Sequence, residues 1–414
     1  MTVRNKSIVN LAIVFISVLI TYTLLEIGYR CYLYYSLLNN KYILKFTDKP
    51  VGFFDKNSGF KQYPNIDTTV LHYDQNDELL IEVRRKTNNH GHSSFNDVTK
   101  EKSNSEFRIA VIGDSFTECA STNWPDILDD SLNADNNLKK LLNVDRFRVL
   151  NFGRSGIGVF QFSKIYEHEV IEYHPDLVIV SLLFGDNFRR FLWLERLDLG
   201  HLGLSLVSPS LPVRLGNRDC MITNTVVLPR DYIQKKEGRE EVRAALAREF
   251  AKNLPWFSPY PEVLAHLLGR KLKKPLGLVL EPRLWVSFVK GEYQDSQEGL
   301  RVSVQAMKTM AAKEKNILFL YNPSPAADEI YNEVFLNRLP PFYSQIAQAM
   351  APVPLVNMTK YLDHRHDRQE MKKWFIYDNH FSDRGAQVYG RAVYKYLAAD
   401  LIKSYLSNRA PALP

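Results

Sequence analysis

Residues 177–183, LVIVSLL, form an apolar run with no polar–apolar alternation. A strand with one face in water alternates. A continuous run of this length is the pattern of a strand buried on both faces, as in a parallel sheet covered by helices on either side. Residues 109–112 of the segment FRIAVIGDSFT (107–117) are a second such run, and residues 317–321 a third. FRVLNF at 147–152 reads as a further strand and 353–356 as a weaker one. Between them apolar residues fall at helical spacing. One helix is predicted over 124–142. Another carries Phe162, Tyr166, Val170 and Tyr173 and stops at His174-Pro175. A third carries Leu300, Val304, Met307 and Ala311, and a closing helix covers 387–397. Strands alternating with helices predict an α/β fold with a central parallel sheet. The alternation breaks between residues 188 and 295, which read as an insertion at the rim of the sheet.

Ahead of this core, residues 8–25 are apolar, with Asn10 the most polar. Roughly 18 apolar residues are about enough to cross a bilayer as a helix. Arg4 and Lys6 precede the run and favour a cytoplasmic N-terminus, although Arg30, Lys41 and Lys45 on the far side weaken the bias. No small-x-small cleavage site follows; Glu26, Tyr29 and Arg30 stand there instead, so the expectation is one uncleaved N-terminal transmembrane helix. The expected organisation is an anchor over 1–30, a juxtamembrane stalk and irregular lead-in over 31–100, and a catalytic domain over 101–405 with the insertion 188–295. The net charge of +7 is scattered except at RKLKK, 270–274. No nucleic-acid-reading motif accompanies it, so a membrane surface or an acidic glycan suits the patch better. Three cysteines, Cys31, Cys119 and Cys220, show no metal-ligand spacing, and a Cys119–Cys220 disulfide stays open.

Four separated pieces fall at predicted strand ends or just before a helix. Ser115 follows the strand in Gly113-Asp114-Ser115. Gly156 closes Asn151-Phe-Gly-Arg-Ser-Gly. Gly185-Asp186-Asn187 follows the run 177–183, and Asp378-Asn379-His380 precedes the closing helix. Ligands of open α/β sheets bind at the carboxyl ends of the strands. Acyl transfer by serine needs a base, a group that orients the base, and donors aimed at the developing oxyanion. His380 would take the Ser115 proton and Asp378 would hold the imidazole. The backbone N–H groups of Ser115 and Gly156 and the side-chain amide of Asn187 would form the oxyanion hole.

In these four blocks, taken in order, the chain resembles the SGNH, or GDSL-type, hydrolases and acyltransferases. The resemblance covers about residues 107–397. It implies a three-layer α/β/α sandwich around a central parallel sheet. It also implies Ser115 as nucleophile, Gly156 and Asn187 as oxyanion donors, and His380 with Asp378 as base and orienter. Two positions depart from the family pattern. Phe188 follows Asn187 where an aspartate is common, which makes Asp186 the competing alignment for the donor. A carboxylate would repel an oxyanion, so Asn187 is preferred. The acid–base pair is spaced Asp-x-His rather than Asp-x-x-His, as in polysaccharide O-acetyltransferase and acetylesterase branches.

The function expected is a membrane-anchored serine esterase acting on acyl esters, acetyl esters foremost, of a glycan or small molecule. An O-acyltransferase delivering the acyl group to a cell-envelope polysaccharide is the alternative, and a catalytically inactive glycan-binding module a second. The catalytic domain would face the periplasm or another extracytoplasmic space. No cofactor or metal is expected: Ser-His-Asp chemistry needs none, and Asp363-His-Arg-His-Asp367, like His90 and His92, reads as a solvated loop. No G-x-S-x-G elbow, Walker A loop or dinucleotide fingerprint occurs.

Overall fold

A computed structural model of the protein describes residues 3–39, 44–55, 59–74, 76–118, 121–183, 186, 192–193, 197–199, 204–206, 211–215, 218–222, 225–227, 230–253, 293–322, 343–362, 368–376 and 380–409. Helix α1 (Val3–Asn39) is followed by strands β1 (Leu44–Thr47), β2 (Gly52–Asp55), β3 (Gly59–Gln62), β4 (Asp67–Tyr73) and β5 (Leu79–Lys86). The next elements are β6 (Glu106–Ile112), α2 (Ser115–Glu118), α3 (Trp124–Ala134), α4 (Asn136–Leu142), β7 (Arg146–Asn151), α5 (Val159–His168) and β8 (Leu177–Leu182). Short strands β9 (Leu192–Trp193), β10 (Leu197–Leu199), β11 (Leu204–Leu206), β12 (Leu211–Leu215), β13 (Arg218–Ile222) and β14 (Thr225–Val227) then lead to α6 (Arg230–Ile233) and α7 (Lys236–Asn253). The chain continues through α8 (Tyr293–Lys313), β15 (Ile317–Tyr321), α9 (Tyr343–Met350), β16 (Leu355–Asn357), α10 (Arg368–Lys372) and α11 (Asp383–Arg409).

The central sheet has the order β16-β15-β8-β6-β7, and every neighbouring pair in it is parallel. Its strands are dry on both faces, as their apolar runs require. From one face Ile109, Val111, Val149, Ile179 and Leu320 pack with Trp124, Leu128 and Leu132 of α3 and Tyr389, Val393 and Leu397 of α11. From the other face Ala110, Ile112, Leu150, Val178, Val180 and Phe319 pack with α5 (Phe162, Ile165), α8 (Met307, Met310) and α9 (Ile346, Met350). Successive strand residues alternate between these two clusters, so the fold is a three-layer α/β/α sandwich. The helix predicted over 124–142 is two helices. Asp135 leaves helical geometry (φ −86°, ψ 87°), and its carboxylate caps α4 by accepting from the N–H groups of Asn137 and Leu138.

The lead-in, read as irregular from its mixed aromatic and polar sequence, contains five strands. β4 pairs antiparallel with β5 from Asp67↔Lys86 to Tyr73↔Leu79. β1 lies between β4, antiparallel, and β14, parallel, in a sheet of order β10-β11-β14-β1-β4-β5. Three strands from the insertion, β10, β11 and β14, therefore complete a sheet begun by the lead-in. The two regions are also pinned by charge. Asp77, in the β4–β5 turn at φ 62°, lies 3.5 Å from Arg239 and 3.0 Å from Arg243 of α7. The Arg239 guanidinium lies over the Tyr73 ring at 4.4 Å.

Within α1, Val9–Gly28 is long and apolar enough to be a membrane span or a signal sequence, and its side chains are largely exposed. Cys119 is outside the described residues, and with it the Cys119–Cys220 pairing; so are residues 270–274 and 363–367.

Candidate active site

The site is built at the carboxyl edge of the central sheet. β6 ends at Ile112, and Gly113 follows because nothing larger fits. A Cβ there would lie 2.1 Å from Thr117 Oγ1 and 3.1 Å from the Ser181 carbonyl. Asp114 is fully buried and starts α2. Its carboxylate accepts from the Phe116 N–H at 2.9 Å, and its carbonyl accepts from Thr117 and Glu118. This local capping turns the chain sharply and leaves Ser115, the first residue of α2, part-exposed while Phe116, Thr117 and Glu118 are buried.

His380 comes to Ser115 from the far end of the chain. Its Nε2 lies 2.8 Å from Ser115 Oγ across 265 residues of sequence. In the neutral tautomer protonated on Nδ1, the hydroxyl donates to Nε2, which is the arrangement a general base requires. The imidazole is held by packing and backbone. Phe116 stacks on it (centroids 5.1 Å, interplanar 22°), Phe381 meets Phe116 edge-on, and Tyr389 of α11 stacks on Phe381. Phe375 and Phe381 form an antiparallel bridge, and the Ile376 N–H donates to the His380 carbonyl at 2.8 Å. Residues 377–379, Asp378 among them, lie outside the described residues.

The second block is drawn against the first. Beyond β7, the Phe152 N–H donates to the Val111 carbonyl (2.8 Å) and the Arg154 N–H to the Gly113 carbonyl (3.0 Å). Asn151 is buried. Its amide donates at 2.9 Å to the carbonyls of both Ser93 and Thr117, and its Oδ1 accepts the Gly153 N–H at 2.9 Å. Gly153 lies so close to α2 that an added Cβ would be 2.3 Å from the Glu118 backbone nitrogen. Gly156 turns the loop at φ +74°, a region that favours glycine.

Of the third block, Asp186 is described and Gly185 and Asn187 are not. The Asp186 side chain is buried and folded back on the strand end, accepting the Leu183 N–H at 2.8 Å.

Two features here differ from, or were absent in, the sequence reading. His92, read as solvated, is buried against Phe152 and Tyr173 (ring centroids 4.4 and 5.3 Å). Asn88 Oδ1 accepts the N–H groups of both His90 and His92, and Gly91 at φ +80° folds the loop inward. Burial, reinforced by the Arg154 charge, pushes the His92 pKa down to about 3. The second feature is Glu118, buried one turn after Ser115. The spacing i, i+3 from the serine was its only signal in the sequence.

No protein-family model matches the chain, and no curated protein is significantly similar to it in sequence. Among solved structures, a family 3 carbohydrate esterase from Clostridium thermocellum aligns with 72% of this chain and 98% of its own at 13% identity and a TM-score of 0.32. LAE5, an α/β hydrolase from the metagenome of Lake Arreo, aligns over 73% and 98% at 14% identity and a TM-score of 0.30. Axe2, an acetylxylan esterase from Geobacillus stearothermophilus, aligns over 70% and 93% at 16% identity and a TM-score of 0.25. Scores this low carry nothing about activity or substrate. What the structure itself shows is a parallel α/β/α sandwich with Ser115 and His380 brought together at its sheet edge.

Proposed function

We propose that the protein is a membrane-anchored serine esterase that forms an acyl intermediate on Ser115. The observation that carries this reading is the 2.8 Å contact between His380 Nε2 and Ser115 Oγ at the carboxyl edge of a parallel sheet. His380 takes the hydroxyl proton as Ser115 Oγ attacks the ester carbonyl. The N–H groups of Ser115 and Gly156 and the Asn187 amide receive the oxyanion, and Asp378 holds His380 in the tautomer protonated on Nδ1. Collapse expels the alkoxide, which His380 protonates. Water, activated by the same histidine, then releases the acid and restores Ser115. The acyl group proposed is small, acetyl foremost, carried by a glycan or small molecule, because the Asp-x-His spacing of Asp378 and His380 resembles that of acetylesterase and polysaccharide O-acetyltransferase branches. With Arg4 and Lys6 before the apolar helix, the N-terminus is placed in the cytoplasm and the catalytic domain outside it.

The test is fluorophosphonate labelling of the detergent-solubilised full chain beside its Ser115→Ala and His380→Ala variants. Label on the wild type, lost in both variants, is the expected result. A folded wild type that takes no label would refute the reading.

A further inference from the structure

The N-terminal strands touch the site at Glu118. This carboxylate is 3% exposed, and both of its oxygens are engaged. Oε1 accepts from Gln62 Nε2, at the end of β3, and lies 3.1 Å from Arg85 Nη1 of β5. Oε2 accepts from the Ser155 hydroxyl. Gln62 is itself held, its Oε1 accepting Ser93 Oγ at 2.9 Å. The Ser93 carbonyl accepts from Asn151, the residue that opens the second block. Strands from the lead-in, the end of the nucleophile helix and the second-block loop therefore meet at one buried charge.

Burying a carboxylate is costly unless charge and hydrogen bonds compensate it. Here Arg85 supplies the charge, and Gln62 and Ser155 supply donors. The step proposed above uses no second acid or base, so Glu118 is not required for proton transfer. What it does contact is Ser155, the residue before Gly156. The direction of an N–H at a turn of φ +74° depends on the residues on either side. Upstream, the loop is tied down by Asn151 and by the Arg154 N–H on Gly113. Ser155 carries that restraint to the threshold of Gly156.

We propose that Glu118 is a positioning residue for the oxyanion hole. Paired with Arg85 and Gln62, it holds Ser155, and through it the Gly156 N–H, at a fixed height beside Ser115. This rests on the reading of Ser115 as nucleophile and adds that the anchor-proximal strands set the site's geometry. A donor displaced by about 1 Å acts on the transition state and so on kcat, by about 10–10²-fold.

The test uses the detergent-solubilised full chain, with p-nitrophenyl acetate turnover and fluorophosphonate labelling as readouts, beside melting curves of each variant. Ser155→Ala and Glu118→Ala are expected to lower kcat about 10-fold or more while KM stays within about 2-fold. The double variant is expected to be no worse than the poorer single one, because both act through one bond. Glu118→Gln is expected to recover most of kcat. Its amide oxygen can face Arg85 and Gln62 while its NH2 donates to Ser155 Oγ. Ser155→Ala with unchanged kcat, additive losses in the double variant, or losses that only track the folded fraction would overturn the proposal and leave the nucleophile reading intact. A wild type inert to both probes would overturn both.

Discussion

Gly153→Ala puts one methyl group where the second-block loop meets the backbone of α2. The added Cβ would lie 2.3 Å from the Glu118 nitrogen, 2.6 Å from the Thr117 carbonyl carbon and 2.8 Å from Thr117 Cβ. Two of those atoms are backbone of α2, so no flexible side chain can yield. Real Cβ contacts essentially never fall below 3.0 Å, so α2 and the second-block loop must separate by roughly 0.7 Å. Overpacking of this kind costs about 1–3 kcal/mol of stability. The functional cost is separate, because the separation moves Ser115 relative to Gly156. A misplacement approaching 1 Å lowers kcat by about 10–10²-fold. The assay is ester turnover and fluorophosphonate labelling at a temperature where the variant's melting curve shows it folded. Unchanged kcat in a fully folded Gly153→Ala protein would refute the account of how the first two blocks are held together.

Two further perturbations test the scaffold. Burial raises the Asp129 pKa to about 6, and its Oδ1 accepts the Val149 N–H at 2.6 Å. As pH falls from 7 to 5 this carboxyl takes up a proton in the folded state first, which adds roughly 1 kcal/mol of stability. His92 acts in the opposite sense. Held near 3 when folded and near 6.5 when unfolded, it removes roughly 2 kcal/mol over the same range. Asp129→Asn removes only the first effect, so urea midpoints should show it losing roughly 1 kcal/mol more than wild type between pH 7 and 5. A pH-independent difference would contradict the burial of Asp129. Asp77→Ala, which strips Arg239 and Arg243 of their shared carboxylate, is expected to cost about 3 kcal/mol and to speed proteolysis within α7. Unaltered cleavage would mean that α7 is held by other contacts.

The parts legible in the sequence are those whose meaning is local. Ile109–Ile112, Leu177–Leu182 and Ile317–Tyr321 are apolar almost throughout, buried Ser181 excepted, because both faces are dry, and that pattern needs no knowledge of partners. Ser115 and His380 were legible because they belong to four short blocks that fall, in order, at predicted strand ends or just before a helix. β5 was not: LLIEVRRK ends in three cations, and its strand character comes from pairing with β4. Glu118 was equally opaque. Its significance depends on Gln62, Arg85 and Ser155, which lie 56, 33 and 37 positions away in the chain. The burial of His92 likewise comes from Asn88 and Gly91 folding a polar loop back on Phe152, which no periodicity announces.

The pairing of β1 with β14 also has a cost in time. Lys45 and Thr225 are partners roughly 180 residues apart, so the edge of β1 that faces β14 lacks its neighbour until that much more chain has been made. At about 5–20 residues per second this leaves a strand edge open for roughly 10–40 s, close behind the apolar helix. Open edges are templates for wrong pairing, and here the charge of Lys45 lies on the strand itself. While this protein is being made, β1 therefore needs protection until a strand roughly 180 residues further along has been made.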